Sequence, residues 1–234
     1  MRRFWQIIWA LILAGFLALS AQAGVGAAVY QEPKYGEYLQ HWLDQGIDAA
    51  KPETEIRVLA VNYHALSDPL KFSAEDGLLY WHADDGWVEY QFEVNQPGLY
   101  NIVVEYMPLE TQMFNIERGI MIDGEYPFKE ARRLALDRQW RNSTYPFARD
   151  DFNNERRAFQ EQVITLQTMT LSDIDGRYEL PFQWYFSGGT HTITITGLRS
   201  QVILKGIALT APQVIPEYQR PTLDLGEVER WKLE

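Results

Sequence analysis

The chain has 234 residues, of which 46% are hydrophobic, 14% aromatic and 23% charged, a composition typical of a globular protein and not of a disordered or fibrous one. Its formal net charge of −11 at pH 7 argues against binding to nucleic acid or to an anionic membrane surface. The chain has no cysteine, which excludes a disulfide framework, a cysteine nucleophile, thiolate zinc and a lipid-anchored cysteine.

The amino terminus predicts an export signal. Met1-Arg2-Arg3 precedes the apolar run Phe4–Leu19, and Ala21-Gln22-Ala23 fits a cleavage site before Gly24. The alternative is an uncleaved anchor, but the run of about 16 apolar residues is shorter than the roughly 20 that a spanning helix needs. We therefore expect residues 1–23 to be a signal peptide and the protein to be secreted, extracellular or in the cell envelope. No membrane insertion is expected after cleavage.

Residues 24–55 are expected to form a linker with one short helix. The helix is predicted over residues 35–48, because apolar residues recur there at helical spacing: Tyr35, Leu39, Trp42, Leu43 and Ile47. The polar stretch from Ala49 to Glu55 contains Pro52 and would end the helix.

The clearest strand pattern spans residues 86–106. Apolar residues alternate with polar ones from Val88 to Val94, and the alternation resumes from Tyr100 to Tyr106. Between them, Asn95-Gln96-Pro97-Gly98 has the composition of a turn. This pattern predicts two antiparallel strands joined as a central hairpin.

Other segments add strands to this pair. Strand patterns occur at residues 56–61, 78–81, 160–166, 182–186, 190–196 and 202–209, and at 120–128 around an Asp123-Gly124 turn. Residues 129–140 fit a helix and a strand equally well, and residues 142–157 form a long polar loop of the kind that is often functional. Eight or nine strands without alternating helices predict an all-β fold, an antiparallel β-sandwich over residues 56–212. Residues 213–234 are expected to be a tail or linker.

Patterns for catalysis or metal binding are missing from the sequence. There is no G-x-S-x-G, and the four histidines lack H-E-x-x-H spacing. Paired acids such as Asp84-Asp85, Asp150-Asp151 and Asp173 with Asp175 are explained by solvated turns in an acidic chain. We therefore predict no enzyme activity and no cofactor, and a glycoside hydrolase with two catalytic acids is the least favoured alternative.

The aromatic content favours a carbohydrate ligand. The chain has 8 Trp, 13 Tyr and 11 Phe, and a sandwich core uses several of these but need not use all of them. Sugar rings pack their apolar faces on Trp or Tyr, while their hydroxyl groups need planar polar partners. Both kinds of residue meet at predicted strand ends and in loops. The candidate binding residues are Trp81, Asp84, Asp85, Arg118, Arg138, Trp140, Asp151 and Asn154.

Each candidate has an expected role. Trp81 or Trp140 would stack on a sugar ring. Hydrogen bonds to hydroxyl groups or to an acidic substituent would come from Arg118, Arg138, Asp151 and Asn154. For Arg118, an internal ion pair with Glu117 or Glu130 explains the residue at least as well.

Residues 86–106, 120–128 and 186–209 together resemble the galactose-binding-like β-sandwich, a jelly roll, of carbohydrate-binding modules. Their order is typical of that group: an aromatic strand, a glycine-tyrosine return, a V/I-D-G turn and a late G-x-H-x-[IL]-x-[IL]. The chain from about Tyr35 to Pro216 is similar to the amino-terminal module ahead of some secreted bacterial solute-binding proteins of sugar transporters. The segments that carry this similarity are Ile116–Arg118, Pro127–Ala131, Arg138–Trp140 and Ile215–Tyr218.

The resemblance implies a secreted, non-catalytic carbohydrate-binding module, either free-standing or part of a solute-binding protein of a sugar ABC transporter. The alternative is a structural module that packs on a solute-binding domain or a transporter permease and has no sugar site of its own. The structural calcium that this fold often holds is weakly supported, because Val202–Leu209 contains Lys205 and no acid.

Overall fold

The structure, a computed structural model, describes residues 32–47, 55–109 and 114–212. Within these ranges the chain forms one α-helix, α1 (Tyr35–Asp44), and fourteen strands. The strands are β1 (Ile56–Leu59), β2 (Ala65–Leu66), β3 (Phe72–Glu75), β4 (Leu78–Trp81), β5 (Trp87–Val94), β6 (Gly98–Pro108), β7 (Ile116–Ile122), β8 (Leu134–Leu136), β9 (Trp140–Asn142), β10 (Gln160–Gln162), β11 (Gln167–Thr170), β12 (Gln183–Phe186), β13 (Gly189–Arg199) and β14 (Val202–Thr210). The predicted signal peptide and the predicted tail lie outside the described residues.

The strands form two main antiparallel sheets. The first has seven strands and is built around the long neighbours β6 and β14. β11 and β12 share the other edge of β6, β1 and β4 share the other edge of β14, and β3 pairs with β4. The second sheet has five strands in the order β2-β5-β13-β7-β8. The predicted antiparallel β-sandwich is therefore confirmed.

Alternating residues of both sheets fill the space between them. On β5, Val88, Tyr90, Phe92 and Val94 are buried, while the intervening side chains are exposed or half-buried. The buried residues of both sheets form one continuous hydrophobic cluster. Because each fully buried large side chain contributes about 1.5–3 kcal/mol, this alternation is the main reason that the strands form.

The predicted central hairpin is wrong in its pairing. Both strands exist, but β5 pairs with β2 and β13, whereas β6 pairs with β11, β12 and β14. The turn from Asn95 to Gly98 therefore crosses from one sheet to the other, and the Tyr100 hydroxyl donates to the Gln96 carbonyl oxygen at this corner. Alternation shows which side of a strand is buried, but it does not identify the neighbouring strand.

The Asp123-Gly124 turn is present, but the strand predicted after it is not. Asp123 has φ 50° and Gly124 has φ 83°, values close to those of a type I′ turn. After the turn, only one bridge forms, between Ile122 and Glu125. The chain then enters a 3-10 turn at Lys129–Arg132 instead of a strand.

Residues 129–140, which fit both a helix and a strand, contain a piece of each. The 3-10 turn is followed by β8, which pairs with β7, and by Trp140, the first residue of β9. The strand expected at residues 160–166 is shorter in the structure, where β10 spans only Gln160–Gln162. Most of the strands beyond the predicted eight or nine are only two to four residues long.

Helix α1 packs along the free edge of β12. The Tyr35 hydroxyl accepts the Gln183 backbone N–H at 2.9 Å, and the Tyr38 hydroxyl accepts the Tyr185 backbone N–H at 2.8 Å. Burial raises the pKa of both tyrosines to about 12, so both remain hydroxyl groups at neutral pH. No helix among the described residues is long and apolar enough to cross a membrane.

Candidate functional site

Between β8 and β11 the chain leaves both sheets and folds back on itself as a two-stranded ribbon, which we call the arm (residues 139–163). Among the described strands, β9 and β10 pair only with each other. Backbone hydrogen bonds extend the ribbon at both ends: Val163 N–H donates to Gln139 O, and Ser143 N–H donates to Phe159 O, each at 2.8 Å. The arm includes the whole of the long polar loop that the sequence predicts at residues 142–157.

One face of the arm combines an aromatic ring with planar amides. Trp140 lies opposite Gln162, and Asn142 lies opposite Gln160. Opposite residues of paired strands, and residues two apart on one strand, point to the same side. Trp140 is 40% exposed, and Gln160 Nε2 donates a hydrogen bond to Asn142 Oδ1. We call these four residues the amide face.

The tip of the arm is a tight turn organised by Asp150. The Asp150 carboxylate accepts the backbone N–H of Phe152 at 2.9 Å, the backbone N–H of Asn154 at 2.8 Å, and the Asn154 side-chain amide at 3.2 Å. The hydrogen bonds from Asn154 and Phe152 hold the pKa of Asp150 below its ordinary value. Of the two candidates here, Asn154 is thus partly engaged, while Asp151 is exposed. Neither lies on the amide face.

Five other candidate residues gather at one end of the sandwich, beside the turn between β13 and β14. Arg118 is only 2% exposed and donates to three backbone carbonyl oxygens, of Glu117 at 2.7 Å, Arg199 at 2.8 Å and Ser200 at 2.7 Å. Its guanidinium lies 4.5 Å from the centre of the Trp81 ring. Burial lowers the pKa of Arg118. Its hydrogen-bond partners are main-chain carbonyls, not the carboxylates expected from the sequence.

Arg138 ties three segments together at the same end. Its Nε donates to Phe114 O at 2.6 Å, Nη1 donates to Leu109 O at 2.8 Å, and Nη2 donates to Ser200 Oγ at 2.8 Å. Each side of the planar guanidinium is therefore used within the protein, as a buried arginine requires. Arg138 fixes the start of the arm to the sandwich.

Trp81 is part of the core. The ring is 0% exposed, and Nε1 donates to the Asp85 backbone carbonyl at 3.0 Å. A stacking platform must expose one ring face, so the stacking proposed for either tryptophan now depends on Trp140. The Asp85 carboxylate pairs with Lys71 at 2.6 Å, and Asp84 is exposed.

The close packing beside Trp81 requires a glycine. A Cβ on Gly197 would lie 2.6 Å from the Asp84 carbonyl oxygen and 2.8 Å from the Trp81 ring. Gly197 is also the residue at which β13 slips in register against β7.

Asn142, Gln160 and Gln162 were not among the sequence candidates. The sequence predicts a strand at residues 160–166 but assigns it to the sandwich, whereas the structure pairs it within the arm. The sequence gives no sign that this segment pairs with residues 140–142, and only this pairing places the amides beside Trp140.

The described residues also form a concave site, which we call the charged pocket. It has a volume of about 210 Å³ and lies between the start of α1, the 3-10 turn before β8 and the segment after β11. Its lining residues are Lys34, Lys129, Glu130, Arg133, Asp173, Ile174, Asp175 and Arg177.

The carboxylates of this pocket are already paired. Arg177 lies 3.3 Å from Asp173, 3.0 Å from Asp175 and 3.9 Å from Glu130. Burial would raise the pKa of Asp173, but hydrogen bonds from the Arg177 backbone and guanidinium and from the Asp175 N–H hold it below its ordinary value. A glycosidase needs a general acid with a raised pKa, so Asp173 does not suit the hydrolase alternative.

A chain of hydrogen bonds from serine to histidine to aspartate lies at the other end of the sandwich. His191 Nδ1 lies 2.7 Å from Asp123 Oδ2, and Nε2 lies 3.1 Å from both Ser187 Oγ and the Ser187 carbonyl oxygen. A carbonyl oxygen only accepts, so that contact is a hydrogen bond when Nε2 carries a proton. These contacts join the turn before β13 to the Asp123-Gly124 turn.

The described residues contain no group of three or more His, Asp or Glu side chains placed to hold a metal ion. β14 carries Lys205 where such a site would need an acid.

No protein-family model matches the chain, and no curated protein matches it in sequence. Similar solved structures include a CBM35 from Paenibacillus barcinonensis, 14% identical with a TM-score of 0.39 over 66% of this chain and 98% of that one. The C-terminal CBM6 of LamC from Zobellia galactanivorans is 12% identical, with a TM-score of 0.37 over 67% of this chain and 99% of that one.

Larger enzymes are also similar over part of their length. The GH26-CBM35 β-(1,4)-mannanase of Podospora anserina is 9% identical, with a TM-score of 0.40 over 71% of this chain. This chain covers only 30% of the mannanase and 23% of a Paenibacillus cycloisomaltooligosaccharide glucanotransferase. Similarity at this level identifies no ligand for this chain.

Proposed function

We propose that the protein is a secreted, non-catalytic carbohydrate-binding module and that the amide face of the arm is its sugar-binding surface. The observation that carries this proposal is the position of Trp140 on one face of the ribbon with Asn142, Gln160 and Gln162. The ring offers an apolar surface to the C–H face of a sugar. The exposed amides of Asn142 and Gln160 can donate to and accept from its hydroxyl groups, whereas the Nε2 atom of Gln162 is buried.

The affinity should be weak. One stacked ring and three or four hydrogen bonds, offset by the cost of association, leave on the order of −4 to −8 kcal/mol, a Kd between millimolar and micromolar. The arm is an open ribbon, so we expect the side of a sugar chain, more than an isolated sugar, to contact it.

The test is isothermal titration of a panel of plant and cell-wall oligosaccharides. Trp140→Ala should abolish binding, because it removes the stacking surface. Trp87→Ala is the matched control, since Trp87 has a similar exposure, 37% against 40%, but lies on the sandwich. The absence of binding across the panel, or equal losses in both variants, would contradict the proposal.

One observation favours a second function, that of an interaction module. Tyr145, Phe152 and Phe159 on the arm are each 85–86% exposed, far more than a stacking site needs. Exposed apolar groups held in an ordered turn are typical of protein interfaces. The partner would be the solute-binding domain or transporter permease that the sequence resemblance implies. In the first case the module would be the amino-terminal part of the solute-binding protein.

The two functions are separated by Phe152→Ser combined with Phe159→Ser. An interaction module should lose binding to a separately produced solute-binding domain encoded with it, whereas the amide face should bind oligosaccharides as before. Trp140→Ala should give the opposite result. Surface plasmon resonance on the domain and titration with sugars measure the two effects.

A further inference from the structure

We propose that the charged pocket binds an oxyanion, a carboxylate or sulfate group, carried by the carbohydrate ligand. The proposal deepens the proposed function and rests on it for the sugar that bears the charged group. It concerns a second site, because no residue of the arm lines this pocket.

The first step of the argument is an account of the charges. Arg177 pairs with Asp173 and Asp175, and Arg133 forms a bidentate pair with Glu117, with both distances 2.9 Å. Each of these carboxylates has an arginine partner. The pocket's remaining carboxylate, Glu130, is occupied in another way.

Glu130 is held by the start of helix α1. Its Oε2 accepts the Tyr35 backbone N–H at 2.9 Å, and Oε1 lies 3.9 Å from Arg177 Nη2. The side chain is only 7% exposed. Glu130 therefore serves the helix terminus, where a carboxylate is favoured, and has little capacity left for a ligand.

The second step concerns the cations. Lys34 and Lys129 are exposed and line the pocket, and neither ammonium forms an ion pair with a described residue. Arg133 uses Nε and Nη2 on Glu117, which leaves Nη1 for other acceptors. The pocket therefore has more free donors than free acceptors.

A ligand that satisfies these donors must be rich in acceptors and negatively charged. Carboxylate and sulfate have this chemistry, and hydrogen bonds between charged groups are about twice as strong as neutral ones. The volume of about 210 Å³ equals that of roughly seven liquid waters, enough for one charged substituent with part of its sugar ring. A neutral sugar would leave both ammonium groups unmatched.

The experiment titrates the whole chain with sodium sulfate, sodium glucuronate or glucose at about 0.15 M salt. Binding is detected as changes in the amide chemical shifts of ¹H–¹⁵N spectra. We expect sulfate or glucuronate, but not glucose, to shift amides of the residues lining the pocket. The double variant Lys34→Gln, Lys129→Gln should weaken this binding at least tenfold. The matched control, the double variant Arg156→Gln, Arg157→Gln, removes the same charge from the arm and should leave anion binding unchanged.

Each outcome decides the proposal. A response to sulfate alone or to glucuronate alone supports it and identifies the kind of anionic sugar. No shift up to about 50 mM of either anion overturns it, as does an equal loss in the two double variants. Trp140→Ala should retain the anion response. If Trp140→Ala also leaves oligosaccharide binding intact, the amide face fails as the sugar site while the pocket stands.

Discussion

At the scale of single residues, arginine has different roles at different places in this protein. In the sequence, Arg118 and Arg138 lie near aromatic or polar residues, as a sugar-binding arginine would. In the structure, both are buried and donate hydrogen bonds to carbonyl oxygens. The sequence shows that an arginine is present but not whether its five donors are used internally. That depends on main-chain oxygens that only the fold brings together.

Arg138→Lys should destabilise the protein by about 2–4 kcal/mol, because a single ammonium cannot reach the three acceptors that the guanidinium fork reaches. Urea unfolding followed by tryptophan fluorescence measures the change. Arg141→Lys is the control, since Arg141 is 71% exposed and pairs with Glu161 at 3.4 Å. That substitution should change the stability by less than about 0.5 kcal/mol. Equal effects would show that the Arg138 contacts add nothing.

Tryptophan shows the same limit of prediction. Trp81 and Trp140 both lie at strand ends and next to polar residues, and the sequence ranks them alike. The structure buries Trp81 beneath Arg118 and next to Gly197 and leaves Trp140 on the arm. Exposure separates the two candidates, and it is a property of the surrounding strands.

At the scale of elements, local pattern identified the long strands but not their neighbours. β5, β6, β13 and β14 all fall where alternation predicts them. The prediction that β5 and β6 form a hairpin was wrong, because a turn between two consecutive strands can either keep them in one sheet or cross to the other sheet. The arm was missed for a related reason, since its short polar strands have no buried face to reveal them.

The arm should be dispensable for folding. Within the described part of the chain its strands pair only with each other, so replacing residues 140–162 by a short Gly-Ser connection removes no described pairing from either main sheet. We expect the shortened protein to keep its far-UV circular dichroism per residue and its cooperative unfolding, and to lose oligosaccharide binding as Trp140→Ala does. A shortened chain that fails to fold would show that the arm supports the sandwich.

At the scale of the whole molecule, the net negative charge and the amide face lie in different parts of the chain. The net charge of −11 resides outside the arm, where Arg141, Arg149, Arg156 and Arg157 balance four acids: Asp150, Asp151, Glu155 and Glu161. Long-range repulsion of anions is screened beyond about 10 Å at 0.1 M salt, whereas contacts inside a pocket are screened less. An acidic protein can therefore still hold an anion at Lys34 and Lys129.

The fold class was predictable because it depends on the burial of many apolar side chains together and not on any single one. The aromatic and β-branched segments must bury their apolar sides, and two antiparallel sheets packed face to face achieve this. The sites were less predictable, because each one depends on a few side chains that come from distant parts of the chain. Lys34, Lys129 and Arg177 meet in space across more than 140 positions of sequence.

The two tyrosine hydroxyls of α1 also bear on whether the protein can self-associate. They occupy outward amide groups of β12 that would otherwise be open to strand addition by another chain. A shortened protein that began after Gln45 would present this row unguarded, beside the half-buried ring of Tyr185. The helix therefore protects this edge of the sandwich from pairing with a strand of another chain, and its removal is expected to promote aggregation.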